Sequence, residues 1–225
     1  MTTKKQIKWL LDQLVARNDD LFPIGPYVVL RPLRHVIRTI SIDRTSSADY
    51  PQFLWSIGHT FRPFTSLQGL NLERIFIARG APRHWSEPGM ADAFIEAAEQ
   101  RILPMLRRVE TITDMFCVHG EPRSFEYDFA LYTLPYLMLV QAANGEFDDA
   151  RAILDEMRHS TRISARWRPH AYDYAVDTLG PLVLADDRAG IAQLLHRWEE
   201  ENVARLGLEA IYERTPFPIE CGMLA

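Results

Sequence analysis

The apolar residues of this 225-residue chain change their period partway along it. Between residues 27 and 77 they tend to alternate, as half-buried strands require. From residue 90 to residue 206 they recur every three or four positions, as helices packing on one face require. Strands first and helices after predict an α+β fold, not an alternating parallel sheet. The expected architecture is an N-terminal helix, a small antiparallel sheet of three or four strands, and a C-terminal helical layer of five or six helices. We expect one domain over 1–225, with 1–89 supplying helix and sheet and 90–225 the helical part.

The first helix is expected after Thr2 or Thr3, either of which can cap it, with Ile7, Leu10, Leu11 and Leu14 on one stripe. Pro23, Gly25 and Pro26 read as a connector. Strands are predicted over 27–30, 34–43, 52–62 and 70–77. In the third, Phe53, Trp55, Ile57, His59 and Phe61 share one face, with Gln52, Ser56, Thr60 and Arg62 on the other. One covered face suits an antiparallel meander. Helices are predicted over 90–109, 125–143, 146–157, 170–184 and 188–206. Pro104 and Pro135 should bend or split two of them. In the last helix Ile191, Leu194, Leu195 and Trp198 should point inward.

A hydrophobic content of 47% with 24% charged residues excludes wholesale disorder. The longest apolar stretch, 129–140, is too short to span a membrane. No export signal is evident at the N-terminus, so the two cysteines, Cys117 and Cys221, are expected as reduced thiols in a cytoplasm. Residues 1–89 hold 12 Lys+Arg against 7 Asp+Glu, and residues 90–225 hold 13 against 23. The basic half carries arginines at 31, 34, 38, 44 and 62, but a pI near 5.8 disfavours nucleic acid as a partner.

No phosphate loop, nucleophile elbow or zinc-helix motif is present, so no catalytic residue, metal ligand or cofactor is assigned. Cys117 and His119 are too close in sequence to stand as an assembled catalytic pair, and zinc would need two further ligands. The acidic pairs at 19–20, 148–149 and 186–187 fall where helices begin or turns form. Two constellations remain. Trp198 with Glu199, Glu200 and Glu201 offers an aromatic anchor and a charged rim for a protein partner. Alternatively Arg38, His59 and Arg62 could line a small-molecule pocket between sheet and helices.

The segment LMLVQAANGEFDDARAILDEM resembles the inter-helix hairpin of a tetratricopeptide-type repeat, in a single copy. The order LRPLRHVIRTISIDRTS, FLWSIGHTFRPF and LLHRWEEENVARLGL resembles uncharacterised bacterial α+β proteins similar to the immunity proteins of polymorphic toxins. That resemblance implies a non-catalytic protein-binding role and carries no site residues with it. The expectation is a protein that binds another protein, by immunity-type neutralisation of a toxin, with a small-molecule enzyme or ligand-binding domain as the competing reading.

Overall fold

A computed structural model describes residues 2–44, 49–63, 67, 71–117, 130–159 and 172–222. The chain folds as two compact units, each interrupted in sequence. The sheet unit comprises residues 1–59, 66–118 and 206–213, and the helical unit 60–65, 119–205 and 214–225.

In the sheet unit, helix α1 (Lys4–Ala16) starts at Thr3. The Thr3 hydroxyl accepts from the Gln6 amide at 3.2 Å, and the Thr3 amide donates to the Gln6 side chain at 2.9 Å, so two orphan donors are satisfied reciprocally. Its buried stripe is Ile7, Leu10, Leu11 and Leu14. Among the described residues five strands follow: β1 (Leu21–Ile24), β2 (Tyr27–Leu30), β3 (Val36–Asp43), β4 (Gln52–His59) and β5 (Asn71–Arg74). They pair antiparallel in chain order.

Strand β1 is one more than the sequence suggests. It contains Pro23, which has no N–H to give, and the sheet tolerates it because β1 is the edge strand among the described residues. Gly25, at φ 57, makes the tight turn to β2. One sheet face, with Val28, Leu30, Ile40, Ile42, Phe53 and Trp55, joins the core shared with α1. Helix α2 (Met90–Ala97) covers it too, Phe94 stacking on Phe53 at 4.4 Å. The other face is also buried, contrary to the single covered face expected. Thr39 and Ser56, opposite one another in register, join their hydroxyls at 2.6 Å and so satisfy each other.

After α2 a π-helical turn (Ala98–Ile102) leads into α3 (Leu103–Arg107). Pro104 takes the N-terminal turn of α3, where its missing N–H costs least. Asp114 heads the short α4 (Asp114–Cys117) and accepts from the amides of Thr111 and Glu110 at 2.7 and 2.9 Å.

In the helical unit, α5 (Ala130–Asn144) packs on α6 (Phe147–His159). Gly145, at φ 82, closes the turn between them, and the Glu146 amide reaches back to the Gln141 carbonyl at 2.9 Å. A π-helical segment (Asp173–Leu179) runs into α7 (Gly180–Leu184). Next comes α8 (Arg188–Leu206), where Asp187 accepts from the Gly190 amide at 2.9 Å, and last α9 (Pro218–Cys221). Ile191, Leu194, Leu195 and Trp198 are buried, as the periodicity predicts. Among the described residues no helix is long and apolar enough to cross a membrane.

Candidate functional site

The alternation of β4 places His59 on the same sheet face as Arg38, for Val36 pairs with His59 and Arg38 with Ile57. The two do not converge on a common point. His59 is 1% exposed and its Nε2 lies 3.0 Å from the Ile112 carbonyl. A carbonyl only accepts, so Nε2 carries a proton and donates. A histidine placed this way ties the loop before α4 to the sheet. Arg38 reaches instead to the carbonyls of Val109 and Pro32, at 3.2 and 2.9 Å. Arg62 belongs to the helical unit, its guanidinium lying 5.3 Å from the Tyr136 ring centroid. The structure therefore places Arg38 and His59 on one sheet face but gives them separate partners.

The tetrad Trp198–Glu201 is divided by the helix period. Trp198 and Glu199 turn inward, whereas Glu200 and Glu201 are exposed. Glu199 is fully buried and accepts from the Thr60 hydroxyl. One turn on, Asn202 donates to the carbonyls of Thr60 and Arg62, both at 2.7 Å, and accepts from Arg205 at 2.6 Å. One turn back, His196 meets Glu220 at 2.8 Å. These polar groups hold segment 60–62 and helix α9 against α8. Neither Asn202 nor His196 carries a sequence signal beyond its inward position on the apolar stripe. Glu200 is paired with Arg214 at 2.7 Å on the surface, where such a pair contributes little.

Trp198 is not an exposed anchor. At 9% exposure it forms the wall of a cavity of about 530 Å³. Its ring meets Tyr174 edge-on at 5.5 Å, and Glu201, Asp173, Asp177 and Arg205 complete the polar part of the lining. All three carboxylates are on exposed residues, so they face water at the rim. Burial pushes the Tyr174 hydroxyl up to about 12, with Arg62 pulling the other way, so it stays a neutral donor at ordinary pH. Two aromatic walls beneath three carboxylates and one arginine make a cavity that favours a cation. Among the described residues no group of three His, Cys, Asp or Glu side chains could hold a metal ion.

Of the other candidate groups, Trp9 is 52% exposed on α1, and Trp85 is half-buried with its indole N–H donating to Thr2 at 3.0 Å. His119 and the Cys117 side chain lie outside the described residues, and Cys221 is an exposed free thiol. Comparison with known proteins finds no matching family model, no matching curated protein and no matching solved structure, so this geometry alone carries the functional argument.

Proposed function

We propose that this chain is a non-catalytic binding protein that receives a basic side chain of a partner protein in the Trp198–Glu201 cavity. Neutralisation of a toxin, in the manner of immunity proteins, is the concrete form of that role. The observation that carries it is the union, in one cavity of about 530 Å³, of Trp198 and Tyr174 with Asp173, Asp177 and Glu201. An arginine or lysine that reaches the face of either ring is attracted by it, worth roughly 0.5–2 kcal/mol. It also meets carboxylates that add charge-assisted hydrogen bonds. The cavity volume falls within the range of pockets that hold small groups. The rim charge sets orientation and on-rate.

The test uses the full chain and an oligo-arginine peptide, with the citrulline peptide as its neutral counterpart. Binding is followed by tryptophan fluorescence and calorimetry. We expect saturable binding of the arginine peptide alone, weakened at least about tenfold in the Asp177→Asn, Glu201→Gln double variant. Those two carboxylates are exposed, so the variant keeps its fold. Equal binding of both peptides, or an unaffected double variant, removes this cavity as the recognition site. Affinity capture from the native host then identifies the partner, which must present an arginine or lysine essential to the complex.

A further inference from the structure

A second cavity, of about 360 Å³, lies in the sheet unit, and Arg38 forms part of its buried wall. Arg38 extends from the middle of β3, so its stem is fixed by sheet register and its head by packing. A guanidinium presents five N–H donors. Two described hydrogen bonds, to Val109 and Pro32, go to neutral carbonyls, and the buried Nε has no hydrogen-bond partner. Among the described residues no carboxylate forms an ion pair with it. Asp20, on the same lining, gives both its oxygens to Arg107 at 2.8 Å each. A buried cation satisfied only by neutral groups is costly to keep. Desolvation accordingly pushes the Arg38 pKa down, with Glu110 and Asp20 opposing it from a distance.

The geometry points to this cavity as a binding site for a small oxyanion, a carboxylate or phosphate group, anchored on the Arg38 guanidinium. The planar fork matches the two oxygens of either group, and Nη1 and Nη2 each keep a second N–H beyond the ones given to Val109 and Pro32. Arg31 and Arg34 line the same cavity and are exposed; Arg34 is paired with Glu213 at 2.9 Å, so Arg31 supplies most of the positive approach for an incoming anion. Of the four arginines on the lining, Arg107 is matched by Asp20 and Arg34 by Glu213, which leaves Arg31 and Arg38 against Glu110. The volume, at the low end of ligand pockets, suits a metabolite-sized anion and not a polymer. The site stands in a different unit from the acidic cavity, so either can fail without the other.

Calorimetric titration of the full chain with inorganic phosphate and, separately, with succinate tests it, against chloride at matched ionic strength. Arginine Nε–H correlation spectra are recorded alongside. We expect one of the two anions to bind saturably and to shift a single arginine Nε–H resonance. Arg38→Met should remove both effects. Glu110→Gln, an exposed change that takes a negative charge off the lining, should tighten binding about two- to threefold. Should Arg38→Met fail to fold, the Glu110→Gln response and the resonance shift decide. Absence of binding beyond the chloride control overturns the proposal. So does binding that leaves the arginine resonances still and is indifferent to Glu110→Gln.

Discussion

Asp20 and Arg107 illustrate what a single side-chain pair contributes here. Arg107 meets Asp20 through two bonds of 2.8 Å and also reaches Asn18 at 3.0 Å, which ties the end of α3 to the start of β1. The guanidinium holds the Asp20 carboxyl below its usual range, although burial works against it. A folded-state pKa below the unfolded one stabilises the fold above the unfolded value, and that contribution is lost as pH falls through the folded value. Asp20→Asn should therefore cost stability at neutral pH but flatten the acid limb below about pH 4. Melting temperatures across pH 2–7 check this, and parallel acid limbs in the two proteins would refute it. The partner of Asp20 lies far away in sequence, so nothing local announced the pair. His59 and Arg38 were legible as unusual residues on an apolar face. Their carbonyl partners were not, because Val109, Ile112 and Pro32 offer only backbone, which has no sequence signature.

Helix α8 shows how one element combines packing with polar duties. Its period placed Trp198 inward, yet the same 3.6-residue turn carries Glu199 and Asn202 inward with it. Read as a linear run, residues 199–201 look like a charged rim, but the helix separates them into one buried acceptor and two surface groups. Asn202→Ala would strip donors from one buried and one part-buried carbonyl and should cost about 1–3 kcal/mol. Chemical denaturation measures it, and a loss below about 0.5 kcal/mol would show that water replaces the amide. The other elements were legible wherever their period was clean. Strand β1 was not, since Pro23 and its neighbours read as punctuation. The π-helical turns were not either, because a register change of one residue leaves the apolar spacing almost intact.

At the scale of the molecule, interleaving of the chain changes what its charge means. Cut at residue 89, the sequence looks like a basic half and an acidic half. Residues 90–118 and 206–213 return to the sheet unit, however, and bring acids with them. The sheet unit then holds 14 Lys+Arg against 14 Asp+Glu, and the helical unit 11 against 16, so the helical unit carries the whole net charge of −5. That unit also holds the acidic cavity, and a field of one sign around a cleft raises the encounter rate of oppositely charged groups. Salt shortens the reach of such a field from about 30 Å at 0.01 M to about 8 Å at 0.15 M. Association of an arginine peptide should thus slow by about tenfold between those ionic strengths, while its dissociation, governed by contacts inside the cavity, changes far less. Stopped-flow tryptophan fluorescence separates the two rates. If salt acts on dissociation alone, the unit's field does not guide the encounter, and recognition rests on the cavity contacts by themselves.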